Sequence, residues 1–273
     1  MGSLHAVRVV GIPRWVSVER LLGECPWHVE GSGLREASAR LSRADASDLA
    51  ARLRGVGVDG RQLVAEFIPP LPRAAIRAAR LLDARRRRET TPLFERKGVR
   101  IDRASRVGAT AERLAMDVAR PWRGRKVVDA ACGAGGNAIA FARAGCRVVA
   151  IEQDPHRIAM ARHNAAVYGV FERIEFRIGD AVSQVETLSG DVIFIDAPWG
   201  VSWNRACTGP HDLPLLPPLL ESVQRTRGFA HALIKVPPSF KVATVAGAVP
   251  EAFFGEADGD HRRIKFVLLT VDL

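Results

Sequence analysis

KVVDAACGAGGNAIAFARAGCRVVAIE, residues 126–152, decides the fold. Its first apolar run, Val127 to Ala131, is too short for a helix and ends in a glycine cluster, as a buried parallel strand does before a tight turn. After Gly133, Gly135 and Gly136 comes NAIAFARAG, where Ile139, Ala142 and Arg143 fall at helical spacing and Gly145 is placed to end the helix. CRVVAIE is a second apolar run closing on an acidic residue. Strand, glycine turn, helix and strand form one unit of a doubly wound α/β sheet, which predicts a nucleotide-like cofactor at the turn.

Gly133, Gly135 and Ala138 also satisfy the loose dinucleotide fingerprint, so the glycines alone leave NAD open. The sign of a charge favours S-adenosylmethionine: Asp129 precedes the glycines, where a carboxylate can meet a methionine ammonium but would repel a pyrophosphate. Glu152, at the end of the second strand, is placed to accept ribose hydroxyls of either cofactor.

The 273 residues, 47% hydrophobic, suffice for one sizeable core and a second small one. Cys25, Cys132, Cys146 and Cys207 are far apart, with no C-x-x-C and no histidine at zinc spacing, so neither a disulfide framework nor a metal is expected. No run reaches the ~18 apolar residues of a membrane span, and no signal-peptide core opens the chain. These features predict a soluble, cytoplasmic protein of unspecified oligomeric state. Net charge is +10, and the excess is local. Residues 73–126 hold 17 Lys+Arg against 6 Asp+Glu, whereas residues 1–72 hold 9 against 8 and residues 127–273 hold 14 against 16. A basic segment beside a cofactor fold is the electrostatic footprint of a nucleic-acid partner. The bias of 35 Arg to 5 Lys explains the choice of cation but not its clustering.

Before the core, residues 1–72 read as βαββαβ: HAVRVVGIPRW, VSVERLLGE, WHVEGS, LREASARLS, a helix capped near Asp45 or Ser47, and QLVAEFIPP. DASDLAARLRGVGVDGRQLVAEF resembles the second half of an RNA recognition motif, although its two central strands carry no stacking aromatic. Pro69, Pro70 and Pro72 mark a boundary, and residues 73–92 read as a basic helical connector. There Arg73, Arg77 and Arg80 share a face, and Arg85, Arg86, Arg87 and Arg88 form a dense end suited to phosphates.

Residues 93–273 read as the catalytic domain. LFERKGVRIDRASRVGATAERLA, then D-A-x-C-G-x-G-G-N at 129–137, R-x-N-A-x-V-Y-G at 162–169 and P-W-G at 198–200, resemble the trimethylguanosine synthase family of RNA cap guanine-N2 methyltransferases. The resemblance is close over residues 93–204. It implies a class I, Rossmann-like, seven-strand methyltransferase fold, S-adenosylmethionine as cofactor and RNA as partner. It also implies cofactor contacts for Asp129, Cys132, Gly133, Gly135, Asn137, Glu152 and Asp180, the last at the adenine amino group. Phosphate contacts would come from Arg96 and Lys97, and, in place of the family's basic residue after the fifth strand, from Lys235 and Lys241.

DVIFIDAPWG is a fourth strand with its exit loop, where open α/β sheets bind ligands. Asp196-Ala197-Pro198-Trp199 resembles the [D/N/S]-P-P-[Y/F/W] motif of methyltransferases acting on exocyclic amino groups. Such a nitrogen is a poor nucleophile because its lone pair is delocalised into the ring. Acceptors on its hydrogens must hold it in line with the methyl donor, and Asp196 with the carbonyls near Ala197 and Pro198 are placed to do so. Trp199 offers a stacking face, and Trp203 and Arg205 could border the base. The family's S-P-P-W-G-G is here D-A-P-W-G-V, which keeps amino-group chemistry and leaves cap recognition open. The expected function is methylation of a base amino group in RNA, foremost guanine N2. The alternatives are adenine N6 or guanine N2 of rRNA, tRNA or DNA without a cap, a non-catalytic RNA-binding protein and, last, an NAD-dependent oxidoreductase.

Overall fold

The computed structural model describes residues 4–199 and 204–273. The N-terminal part runs β1 (Leu4–Pro13), α1 (Val18–Leu22), β2 (His28–Glu30), β3 (Leu34–Ser42), α2 (Arg43–Leu53), a short hairpin β4 (Gly57–Val58) and β5 (Arg61–Gln62), then β6 (Val64–Ile68). The four longer strands pair antiparallel in the order β2-β3-β1-β6, the predicted βαββαβ arrangement. Helix α2 begins earlier than expected: Ser42 caps it by accepting from the Asp45 N–H, so neither Asp45 nor Ser47 is the cap. On the exposed face of this sheet Arg8 lies between Glu36 (2.5 Å) and Glu66 (3.3 Å). Those two carboxylates outweigh the Arg8 charge and repel phosphates, so this part of the face is poorly suited to a nucleic acid.

The basic connector forms α3 (Arg73–Arg86). Arg86 pairs with Asp48, Arg87 with Asp83, and Asp83 also takes Arg263, so this helix is tied to α2 on one side and to the C-terminal part of the chain on the other. Arg73, Arg77, Arg80, Arg85 and Arg88 are exposed and have no side-chain partner among the described residues.

The larger part adds α4 (Arg103–Gly108), α5 (Glu112–Ala119), β7 (Lys126–Asp129), α6 (Gly136–Arg143), β8 (Arg147–Glu152), α7 (Pro155–Val167), β9 (Ile174–Ile178), α8 (Ala181–Val185), β10 (Gly190–Ile195), α9 (Leu216–Thr226), β11 (Phe229–Val236), β12 (Val249–Phe254) and β13 (Ile264–Asp272). Its seven strands lie in the order β12-β13-β11-β10-β7-β8-β9. Strands β11, β10, β7, β8 and β9 pair in parallel, and β13 runs antiparallel between β11 and β12. Both faces are buried. Val127, Val148 and Phe194 pack on one side, Val128, Val149 and Ile193 on the other, which is why the strands read as unbroken apolar runs. The order reverses between β7 and β10, and ligands in such sheets bind where the strands leave that switch point.

Two readings of the C-terminal sequence are corrected by the structure. HRRIKFVLLTVDL reads as a closing strand at the sheet edge, but β13 lies inside the sheet because VPEAFF forms β12 outside it. FKVATVAGA reads as a helix, but its β-branched residues follow Pro237-Pro238, and only a 3₁₀ turn at Val242–Thr244 forms.

The two parts share apolar surface. Phe254 belongs to the same buried cluster as Val7, Ile12 and Leu49, with Ala252 and Ile264 packed against it. The β4–β5 hairpin reaches further. Asp59 N donates to Pro238 O (3.0 Å), Gly60 N to Ser239 O (3.1 Å), and Asp59 Oδ1 accepts from Val242 N (2.9 Å). Gly57 sits so close to residues 205 and 206 that a Cβ would stand 2.7 Å from Ala206 O. Gly57→Ala should therefore cost about 1–3 kcal/mol, read as a lower Tm, and should slow methyl transfer by displacing the chain that follows the Asp-Ala-Pro-Trp motif. An unchanged Tm would show that this contact yields freely.

Candidate active site

The glycine turn between β7 and α6 holds its shape because two of its residues have positive φ: Gly133 at 53° and Gly135 at 88°. Gly135 has a second constraint, since a Cβ there would stand 3.0 Å from that of Ala161. Glu152, at the end of β8 and 8% exposed, braces the turn: Oε2 accepts from Gly133 N (3.1 Å) and Oε1 from Asp154 N (3.1 Å).

Above the turn lies a cavity of about 390 Å³ bordered by Cys132, Gly133, Asn137, Glu152, Asp196, Ala197, Pro198 and Trp199. A second cavity of about 640 Å³ shares Phe94, Gly108, Thr110 and Trp199 with it and adds Arg96, Arg106, Lys235 and Lys265. Trp199 thus borders both, at the junction where a substrate ring would meet a cofactor.

The Asp196 side chain is fixed from two sides. Its Oδ2 accepts from Lys235 Nζ (2.8 Å) and from Asn137 Nδ2 (3.2 Å). Burial raises the Asp196 pKa, and the Lys235 ammonium opposes that rise. Lys235 also donates to Gly108 O (2.7 Å) and is 2% exposed. This corrects the expectation that Lys235 meets substrate phosphates: an ammonium sealed against Asp196 is not available to a polyanion. Lys241 and Lys97 are exposed, and Arg96 borders the larger cavity.

Asp129 and Asp180 depart from their expected places. Asp129 is fully buried at the end of β7, does not border the smaller cavity, and its carboxyl oxygens have no hydrogen-bonding partner of ordinary geometry among the described residues. Desolvation, followed by the charge of Asp196, pushes its pKa up to about 8. Asp180 is exposed and caps α8 by accepting from Ser183 N (2.9 Å), a bond that lowers its pKa. It too lies outside the cavity lining. Cys132 borders the cavity as a thiol, since burial raises its pKa well above the usual range. Trp203, like Gly200 and Val201 of the motif, lies outside the described residues; Arg205 is exposed.

Sequence reasoning missed how residues 93–110 are used. They read as a lead-in to the first strand, yet they wall both cavities. Asn164, fully buried on α7, holds them: Oδ1 accepts from Arg100 N (2.7 Å), and Nδ2 donates to Arg100 O (2.7 Å) and Ala134 O (2.9 Å). One amide ties the wall to the glycine turn. Arg157 adds a bond to Asp102 (3.1 Å) and borders the smaller cavity. The signal was present in R-x-N-A-x-V-Y-G, where an asparagine inside an apolar helix needs partners. Asn164→Ala removes the partner of one buried and two part-buried backbone groups, so a loss of about 1–3 kcal/mol in urea unfolding is expected, with weaker cofactor binding. A variant as stable as wild type would mean water replaces the amide.

A sheet with this strand order, a glycine turn braced by an acidic strand end, and Asp-Ala-Pro-Trp at the switch point define the methyltransferase architecture. Residues 124–211 match the family model described as RNA cap guanine-N2 methyltransferase. The trimethylguanosine synthase of Schizosaccharomyces pombe is 35% identical over 120 residues, covering 40% of this chain and 50% of that protein. A ubiquinone biosynthesis O-methyltransferase of Methylocella silvestris is 40% identical over 78 residues, covering 29% of this chain and 28% of that one. The chain thus spans half or less of these curated relatives. Among solved structures, a putative methyltransferase from Porphyromonas gingivalis W83 superimposes with a TM-score of 0.52 at 21% identity, over 84% of this chain and 57% of that one. The fold is that of class I methyltransferases, and the resemblance to the trimethylguanosine synthase family stands on both sequence comparisons.

The cofactor of this class is S-adenosylmethionine, and the residues present fit it. Glu152 supplies a carboxylate in the wall for ribose hydroxyls. The Asn137 side-chain oxygen, 9% exposed at residue level, has no partner and stands in the cavity lining. Glycines 133 and 136 let a ligand approach the backbone closely.

Proposed function

We propose that this protein transfers methyl from S-adenosylmethionine to an exocyclic amino group of a base in RNA, foremost guanine N2. The observation that carries the reading is Trp199 at the junction of the two cavities with Asp196 beside it in the wall of the smaller one, held by Lys235 and Asn137.

Bound S-adenosylmethionine supplies an electrophilic methyl on a sulfonium. Trp199 stacks the base, a contact worth roughly 1–3 kcal/mol. Asp196 Oδ1, which has no bond among the described residues, accepts a hydrogen of the amino group. With the carbonyls of Ala197 and Pro198 it holds the nitrogen in line with the methyl. During the transfer Asp196 would take up the proton that the amino nitrogen sheds, or pass it to water. Asp196 is suited to this role because burial makes its carboxylate more basic than usual. No covalent enzyme intermediate is needed.

RNA is supported as partner by the larger cavity's Arg96 and Arg106, and by the exposed arginines of α3, whose C-terminal end leads directly into the cavity wall at Thr90 and Thr91. Adenine N6 is the second reading, favoured by the aspartate that replaces the leading serine of the cap motif. Incubation with labelled S-adenosylmethionine and total RNA, followed by nucleoside analysis, tests both: N2-methylguanosine supports the first, and N6-methyladenosine alone overturns it.

A further inference from the structure

We propose that the N-terminal part takes part in methyl transfer, with Asp59 as a positioning residue that holds the chain on the substrate side of the sheet; the proposal rests on the amino-group reading above. Asp59 and Gly60 are the two turn residues of the β4–β5 hairpin, with φ of 52° and 73°. Such a turn needs positive φ at both places, which glycine, asparagine and aspartate accept best. The turn is bonded outward. Asp59 N donates to Pro238 O (3.0 Å), Gly60 N donates to Ser239 O (3.1 Å), and Asp59 Oδ1 accepts from Val242 N (2.9 Å).

The stretch it braces, residues 235–242, anchors the Asp-Ala-Pro-Trp segment from both ends. At the end of β11, Lys235 holds Asp196 at 2.8 Å. A few residues on, Ser239 holds residues 204–208, the described chain that follows the motif. Ser239 O accepts from Thr208 N (2.9 Å) as well as from Gly60 N, so the two lone pairs of one carbonyl join the hairpin to that chain. Ser239 Oγ bonds Thr208 Oγ1 (2.8 Å) and Asn204 O (3.0 Å), and Lys241 N donates to Thr208 O (2.9 Å). Thr208 is 0% and Ser239 1% exposed, so water does not compete for these bonds.

The cofactor side has separate supports. Glu152 braces Gly133 N and Asn164 holds Ala134 O, and no hydrogen bond among the described residues runs from the hairpin to either. Loosening Asp59 therefore disturbs the base and spares the methyl donor. A base that must stay in line with the methyl loses rate steeply when the chain that holds it shifts.

Initial rates on total RNA with labelled S-adenosylmethionine, taken well below the Tm of each protein, test the proposal beside a titration of S-adenosylmethionine binding. Asp59→Ala loses the acceptor and strains the turn, so kcat/KM for RNA should fall about 10–100-fold with the cofactor Kd unchanged. Asp59→Gly suits the positive φ and loses only the carboxylate; it should fall between alanine and wild type, and it serves if the alanine variant does not fold. Asp59→Asn keeps both the acceptor and the tolerance of positive φ, so it should restore wild-type values. Wild-type kcat/KM in Asp59→Gly and in a folded Asp59→Ala overturns the proposal while the RNA reading stands. An equal loss of cofactor affinity overturns it too, since that marks a general loosening of the fold. No label in RNA from wild type overturns the amino-group reading, and this proposal with it.

Discussion

Asp196→Ala is expected to lower methyl transfer about 10²–10³-fold and to destabilise the fold by about 3–5 kcal/mol. The two effects have separate causes. The catalytic loss follows from removing the acceptor that orients the amino nitrogen. The stability loss follows from Lys235, 2% exposed, whose ammonium would keep Gly108 O and the rings of Trp199 and Phe266 but no counter-ion among the described residues. Asp196→Asn separates them, because an amide oxygen still accepts from Lys235 but carries no charge. Its Tm should fall less than that of the alanine variant, while kcat remains low and cofactor affinity, measured by titration, stays near wild type. An Asp196→Asn variant with wild-type kcat would restrict Asp196 to holding Lys235 and remove it from the chemistry.

Asp129→Asn is expected to change how stability depends on pH, with the largest effect on the alkaline side. Asp129 has its carboxyl buried with no partner of ordinary geometry among the described residues, and desolvation with the nearby charges of Asp196 and Glu152 carries its pKa up to about 8. In the unfolded chain the same group titrates near the ordinary value of 3.8. A carboxyl that holds its proton more tightly when folded contributes most below the unfolded pKa, and that contribution is withdrawn as pH rises through the folded one. Wild type should therefore lose stability relative to Asp129→Asn between about pH 4 and pH 8. At ~1.4 kcal/mol per pKa unit the difference is on the order of 5 kcal/mol across that window. Carboxylates held low by partners, such as Asp260 with Lys265 and Thr91, oppose this trend but are common to both proteins and cancel. Urea unfolding of the pair at pH 5 and pH 8.5 reads the effect. A difference independent of pH would mean that Asp129 is solvated in the native state.

The sequence made the catalytic sheet legible because strands buried on both faces must be apolar throughout. Val127–Val128, Val148–Val149 and Ile193–Phe194 could hardly be anything else. The glycine turn was legible because Gly133 and Gly135 need backbone angles that other residues resist. Asp196 and Trp199 were legible as candidates because the chemistry of an amino group would demand an acceptor and a flat face at a strand exit. β12 was missed because VPEAFF alternates only weakly and gains its place by pairing with β13, a partner that lies ten residues beyond it.

Local order along the chain thus determined the elements and the candidate chemistry by itself: periodicity, glycine positions and motif spacing are properties of neighbours. Tertiary structure alone decided which charges cancel. Lys235 and Asp196 are 39 residues apart, and no pattern between them indicates that one ammonium neutralises the carboxylate and sits against Trp199. The same holds for Asn164, whose amide joins Arg100 to Ala134, and for Gly57, pressed on residues 205 and 206 from the other side of the molecule. Burial and pairing depend on what the fold brings within a few ångströms, so the electrostatics of the candidate site appear only once the sheet has closed around them.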